Sequence, residues 1–415
     1  MACEQLTRLG DVIELEDVKR EPISSRDRKD RKGSYPYYGA QGIVDYLDDY
    51  TYEGDYLLVA EDGENLRSRK NPIANAASGK FRVNNHAHVI AESEKCNLVF
   101  LRHLLNMTDI SAYVTGSTQP KLSQSNLCAM KLPLPSMAEQ NAIANVLSLF
   151  DRKIELNNQL NDYLEQLVDG KFQELFGGLN FNATLSDVAE ITMGQSPAGS
   201  SYNEEGAGII FYQGRGEFGW RFPKRRLYTT EPKRLACEGD VLMSVRAPVG
   251  DLNVAFENCC IGRGLAAIHS ETPSFALYLM RFLKPQLEAY NGEGTVFGSI
   301  NGKALKSLEV ALPSHNEVMQ FESFAAPIDA LIRSNENETR KLNNLRNYLL
   351  PKLMSGEIDV SKVDLTQLTN NHLAGRMHWS TVIRVRAIHA VHSRQSQIPA
   401  YESVPRVLHS HATPP

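Results

Sequence analysis

The sequence predicts an α+β protein: two globular mixed α/β domains alternating with two long helices that form an antiparallel coiled-coil pair, the whole a pseudo-twofold duplication. Three observations carry that expectation. The stretch LPLPSMAEQ at residues 132–140 returns as VALPSHNEV at 310–318, with Leu134/Leu312, Pro135/Pro313 and Glu139/Glu317 each 178 positions apart. The same offset continues through Asp151/Asp329, Ile154/Ile332, Asn157/Asn335, Leu164/Leu342, Leu167/Leu345, Leu175/Leu353 and Gly178/Gly356. Such a period is far longer than the roughly 20–50 residues of a solenoid repeat, so the chain reads as two homologous halves. Second, each copy opens a stretch of helical apolar spacing. Third, the text ahead of each copy is short apolar runs cut by turn residues, the pattern of mixed strands with a few helices.

Residues 1–133 form the first globular domain, with YLLVAEDGENL and KFRVNNHAHVI as strand-like runs and NLVFLRHLLN at helical spacing. Residues 136–178 are the first long helix. From Ser136 to Phe176 the only breaker is Gly170, and apolar positions recur at Ile143, Leu147, Phe150, Ile154, Leu160, Leu164, Leu167 and Leu175. About 40 residues at 1.5 Å each span roughly 60 Å, longer than a small domain is wide, so the helix requires a partner along its length. Residues 179–312 are the second globular domain; weaker echoes of the first pair Leu9, Asp11, Val12 and Glu14 with Leu185, Asp187, Val188 and Glu190, and Glu53-Gly54-Asp55 with Glu238-Gly239-Asp240. Residues 314–362 supply the partner helix. Pairing is expected through Ile143, Leu147, Phe150, Ile154 and Leu164 on the first helix and Phe321, Ile328, Ile332, Leu342 and Leu349 on the second. Asn157 and Asn335 occupy matched positions; they either fix register inside the apolar seam at some cost in stability, or lie on the solvated side. Pro327 removes a helical hydrogen bond, so the second helix is expected to start or kink there. Residues 363–415 have no counterpart in the first half, hold six of the eleven histidines, and are expected to be a poorly ordered tail.

With 415 residues, 42% of them hydrophobic, the chain has room for two or three domains with cores of their own. No run of 18 apolar residues occurs and the first seventeen residues are acidic, so a cytoplasmic protein without membrane contact is expected. Six cysteines show no CxxC pair, which points to reduced structural thiols and no metal site. The formal charge of -5 excludes a wholly basic nucleic-acid coat but not a local positive surface.

GRGEFG at 214–219 has the form of a dinucleotide-binding turn, yet it is followed by WRFPKRRLYTTEP and not by a helix, so its glycines are read as turn residues. KNPIAN at 70–75 has the first two letters of an Asn-Pro-Pro-aromatic motif, but Ile73 cannot stack on a base. His86 and His88, two apart on a strand, lack a third ligand and are read as structural. No catalytic constellation stands out. The mixtures of cations and aromatics are more suggestive: RDRKDRKGSYPYYGAQG at 26–42 and YQGRGEFGWRFPKRR at 212–226. Cations can neutralise phosphates and guanidinium groups can read guanine edges. The candidate DNA-contacting residues are Lys29, Arg31, Lys32, Tyr35, Tyr37, Lys80, Arg82, Arg215, Arg221, Lys224, Arg225, Arg226 and Arg246; the alternative for each is a solvated loop beside core aromatics.

Taken together, the residues 116–160 from GSTQPKLSQSN to the helix, YPYYGAQGI at 35–43, VNNHAHV at 83–89, IGRGLAAI at 261–268 and LLPKLMSGEIDV at 349–360 resemble a type I restriction-modification specificity subunit. The resemblance covers about residues 6–362. In the second copy Val318 stands where the first has Gln140, and the tail departs from the family pattern. The resemblance implies that each globular domain is a target-recognition domain reading one half of a split, asymmetric double-stranded DNA site. It further implies that the helices set the gap and dock two modification (methyltransferase) subunits, to which restriction (translocase/nuclease) subunits are added. On this reading the chain is not an enzyme and carries no cofactor; S-adenosylmethionine, ATP and Mg belong to the partner subunits. Two other classes stay open: a dual-domain coiled-coil scaffold that binds proteins, and a DNA methyltransferase acting alone.

Overall fold

The computed structural model describes residues 6–292 and 298–360; the expectation of a disordered tail therefore lies outside the described residues. The chain divides into two compact units, one of residues 1–148 with 349–415 and one of residues 149–348. The division falls within both long helices. Among the described residues no helix is long and apolar enough to cross a membrane.

The first unit is built on a six-stranded sheet in the order Glu14–Leu15, Ala87–Ala91, Tyr52–Ala60, Ala74–Val83, Lys32–Gly39 and Gly42–Leu47. Its ladders are antiparallel except where Tyr37 and Tyr38 run parallel to Arg82 and Val83. Side chains alternate across a strand, so Tyr52, Leu58, Phe81, Val83 and Val89 collect in one buried cluster. The rings of Tyr52 and Phe81 stack there with centroids 5.4 Å apart. Helix Leu98–Met107 follows the apolar spacing and is capped by Asn97, whose side chain accepts from the Phe100 amide.

In the second unit the strands form a four-stranded sheet, ordered Glu190–Met193, Leu265–His269, Val241–Ser244, Leu252–Val254, and a five-stranded sheet of short strands. Helix Pro273–Phe282 joins the C-terminal end of one long helix and the N-terminal end of the other in an aromatic core. Phe172 meets Phe321 at 5.3 Å, Phe176 meets Phe275 at 5.6 Å and Tyr278 meets Phe321 at 5.9 Å between ring centroids.

The long helices run Met137–Phe176 and His315–Met354, 40 residues each. The repeated Pro-Ser-x-x-Glu acquires a physical reason here: it is a capping box. Ser136 and Ser314 donate their amides to Glu139 and Glu317 at 3.0 and 2.8 Å, and the two serine hydroxyls accept from the glutamate amides in return. The departure at Gln140 also makes sense. Gln140 accepts from the Asn97 amide at 3.0 Å and so braces helix Leu98–Met107. In the second copy that task passes to Glu322, one turn beyond Val318, which accepts from the amides of Ser274 and Phe275.

Two expectations about the helices are corrected. The second helix does not start at Pro327 but continues through it; the proline is exposed, so water can serve the carbonyl left without its amide partner. The predicted stripe also drifts off the seam: Leu160, Leu167 and Leu175 are 42%, 54% and 41% exposed. Within the second unit the buried face of the first helix is Phe150, Asn157, Asn161, Val168, Phe172 and Phe176. Both asparagines of the matched pair are buried. Asn157 donates to Glu338 at 2.9 Å and to Thr339 at 3.3 Å, and Asn335 donates to Asn161 at 2.9 Å. Together with Arg346 to Asp151 at 2.7 Å, these contacts make rising numbers on one helix meet falling numbers on the other, so the pair is antiparallel. Of the predicted pairing residues, Phe321 and Ile328 pack into the second unit's core, with Val168, Phe172 and Phe176 of the first helix in the same cluster. Ile143, Leu147, Phe150, Ile332, Leu342 and Leu349 are buried, and Ile154 and Leu164 are half-buried.

Candidate nucleic-acid interface

The cations singled out in the sequence separate into three groups once folded. Arg82, Arg221 and the aromatic Tyr37 are buried, which corrects their assignment to a DNA-facing surface. Arg82 is held between Glu21 and Asp49. Arg221 reaches Asp329 at 2.6 Å, Glu165 at 3.1 Å and the Tyr278 hydroxyl at 2.9 Å, fastening its loop to both long helices. A charge removed from water must be answered in this way, and such a residue has no free donor fork for a ligand. The Tyr37 hydroxyl donates to the Glu21 carbonyl and accepts from the Ile23 amide.

A second group lies nearer the surface but is matched by carboxylates that the fold brings from elsewhere. Arg31 pairs with Asp48 and Asp49, Lys32 with Asp45, Arg215 with Asp251, Arg225 with Glu257, and Arg226 with Glu217 and Glu204. Lys80 lies over the Tyr50 ring, which also packs against Tyr35, and 3.9 Å from Glu53. Surface pairs of this kind contribute about 0–1 kcal/mol and can be exchanged for phosphates. The third group, Lys29, Lys224 and Arg246, is exposed and carries no side-chain ion pair among the described residues.

The structure also singles out a turn within IGRGLAAI whose arginine is not among the DNA candidates drawn from the sequence. In the second unit, strand Cys259–Ile261 runs parallel to Ile209–Tyr212 and turns back through Gly262-Arg263-Gly264 into Leu265–His269. Gly262 donates to the Tyr212 carbonyl at 2.8 Å, Leu265 closes the turn onto the Gly262 carbonyl at 2.9 Å, and Val245 donates to the Gly264 carbonyl at 3.0 Å. The Arg263 amide donates to Ser196 Oγ at 3.3 Å. A Cβ on Gly262 would come within 2.7 Å of the Gln213 carbonyl oxygen, and one on Gly194 within 2.2 Å of the Gly262 oxygen, so only glycine lets these backbones approach. The first unit holds the same device at Asn84-Asn85-His86: Asn84 donates to the Tyr38 carbonyl at 3.0 Å and Glu61 to the His86 carbonyl at 2.9 Å. Asn84 and Gly262 again lie 178 positions apart, the offset of the helices.

The histidines have local partners. His86 meets Asp62 at 2.7 Å, and buried His88 meets Asp17 at 2.6 Å and the Leu122 carbonyl at 2.8 Å. Cys237, Asp240 and His269, which spacing alone does not connect, come together with their ligand atoms within 4.8 Å of one another and are the described group that could hold a metal. Asp240 already accepts from the Cys237 amide at 2.7 Å and bonds His269 Nδ1 at 2.6 Å, which closes the turn and holds the His269 imidazole above its ordinary pKa.

Comparison with known proteins gives this geometry its context. The model of the type I restriction modification DNA specificity domain matches the chain twice, over residues 5–166 and 182–347. A protein of Methanocaldococcus jannaschii named as a type I restriction enzyme MjaX specificity subunit is 30% identical over 381 residues, spanning 86% of this chain and 84% of that protein. The type I restriction enzyme MjaIX specificity subunit of the same organism is 25% identical across 74% of this chain and 80% of its own length. The crystal structure of a type I restriction-modification system S subunit from M. genitalium shares the fold, with a TM-score of 0.57 at 18% identity over 84% of this chain and 95% of that one. With the domain present once in each half, the chain belongs to the type I restriction-modification DNA specificity family.

Proposed function

We propose that this specificity subunit reads a bipartite, asymmetric double-stranded DNA site, one half with each globular domain, while the paired helices set the gap and dock two modification subunits. The observation that carries the reading is the duplication itself. The same capping box, the same asparagine in the seam and the same clamped turn occur once per half, whereas the turn tips differ, with Asn85 in one and Arg263 in the other. Like frames with unlike tips suit symmetric partners on asymmetric DNA. A stripe on the first helix, Leu156, Leu160, Tyr163 and Leu167, is 47%, 42%, 69% and 54% exposed at helical spacing and offers an apolar docking face. Methyl transfer from S-adenosylmethionine and ATP- and Mg-dependent translocation and cleavage then belong to the modification and restriction subunits, and this chain carries the address.

The test is to express the complex with residues 6–131 exchanged for the corresponding domain of a relative and sequence the host methylome. One half-site is expected to change while the other half and the gap stay fixed. If both halves change, or neither does, the division of labour is wrong; if the lone chain transfers labelled methyl groups to DNA, it is an enzyme after all.

A further inference from the structure

We propose that Arg263, with Arg246 beside it, is the base-reading element of the second domain and takes a guanine in its half-site. The inference rests on the reading of the chain as a DNA specificity subunit and adds the residue and the base. Four observations bear on it. Arg263 stands at the tip of a turn whose backbone is fixed on every side, by Tyr212, Val245, Ser196 and the closing Leu265 amide. Its side chain is exposed and carries no hydrogen bond or ion pair among the described residues, whereas Arg215, Arg225 and Arg226 are matched by acids. Arg246 follows Val245, whose amide holds the Gly264 carbonyl, so a second exposed guanidinium, without a side-chain ion pair among the described residues, adjoins the tip. The homologous turn of the first domain keeps the backbone clamps but presents exposed Asn85, and Asp62 stands where the second domain has Arg246.

A residue needed for folding would be matched by polar partners within the fold, and the Arg263 side chain has none among the described residues. A residue that only neutralises phosphate needs no rigid mount, because a flexible ammonium serves as well. An unpaired guanidinium on an over-determined turn is suited to bidentate donation to O6 and N7 of guanine, where direction as well as charge matters. The glycines fit this: they allow the tight backbone crossing that holds the tip and leave Arg263 as the side chain that the turn presents.

The experiment uses the full chain in its complex with the modification subunits. Methylomes are compared for the natural chain, Arg263→Ala, Arg263→Lys and Lys224→Ala, and the half-site belonging to the second domain is assigned by the exchange of residues 6–131. The natural half-site is expected to contain a guanine. Arg263→Ala is expected to leave the gap and the first half-site intact and to lose discrimination at that one base pair by roughly 5- to 150-fold. Arg263→Lys, which keeps the charge but not the fork, should relax the same position, and Lys224→Ala, which removes a charge that can only neutralise phosphate, should weaken methylation evenly without relaxing any base pair. An unchanged motif in Arg263→Ala overturns the proposal. So does a half-site without guanine, rescue by Arg263→Lys, or uniform weakening with a shallower salt dependence, the signature of a phosphate contact. Loss of all methylation by an assembled Arg263→Lys complex also counts against it. If the natural complex shows no bipartite motif at all, the broader reading fails instead.

Discussion

A guanidinium that is 4% exposed must have its charge answered, and Arg221 has Asp329, Glu165 and Tyr278 to do so. Replacing it with alanine would leave two carboxylates facing each other across a partly dry site, beside Arg281, which bonds Glu165 at 2.9 Å. Breaking a buried ion pair from one side typically costs about 3–5 kcal/mol. Arg221→Ala is therefore expected to lower the stability of the chain by that order, measured by denaturant unfolding, while exposed Lys224→Ala shifts it by less than about 0.5 kcal/mol. Equal stabilities for the two variants would return Arg221 to the surface. In one dimension RFPKRR is a uniform basic run, and nothing local distinguishes its buried member from its exposed ones. The partners that decide the matter lie 108 and 56 positions away. Arg263 was hidden for the opposite reason: a single cation between two glycines makes no cluster, and only the ladder around it shows how firmly it is held.

At the scale of elements, periodicity was a good guide to where the long helices lie and a poorer guide to which faces they bury. Leu160 and Leu167 satisfy an apolar stripe on paper, but the seam in the second unit passes through Asn157 and Asn161. Polar residues carry no apolar signal, so a seam built on them slips from view; their buried amides instead restrict the pair to registers in which each finds a partner. The short turn at Cys237–Asp240 was equally silent, since its closing partner His269 arrives from another strand. That contact makes a pH prediction. The hydrogen bond that His269 donates to Asp240, and then the charge of that carboxylate, raise the His269 pKa on folding. A raised folded value means that the stabilisation is complete below the ordinary histidine value of about 6.5 and is lost as pH rises through the folded value. The melting temperature of the natural chain should exceed that of His269→Gln at pH 6, and the difference should shrink by pH 9. A difference that is flat across this range would show that the pair does not titrate.

For the whole molecule, the symmetry of the duplication locates a point of adjustment. Asn157 meets Thr339 and Asn161 meets Asn335, so Gln159 and Asn337, themselves 178 positions apart, mark the centre of the antiparallel pair. Four residues inserted in the first helix alone would shift Glu165 against Asp329 and pull on the Arg221 clamp, which holds both helices. Matched insertions after Gln159 and after Asn337 avoid this. Each side of the centre keeps its own asparagine contact, and four residues, about one turn, nearly preserve the face. Each helix lengthens by roughly 6 Å, against about 3.4 Å per base pair along the duplex. If the helices measure the gap, the methylome of the doubly inserted chain, in complex with its modification subunits, will show both half-site sequences unchanged and moved apart by one or two base pairs. The single insertion will instead lower stability before it changes any spacing. A doubly inserted chain that reads different bases across an unaltered gap would mean that the helices carry sequence information and the globular domains set the spacing, the reverse of the division proposed.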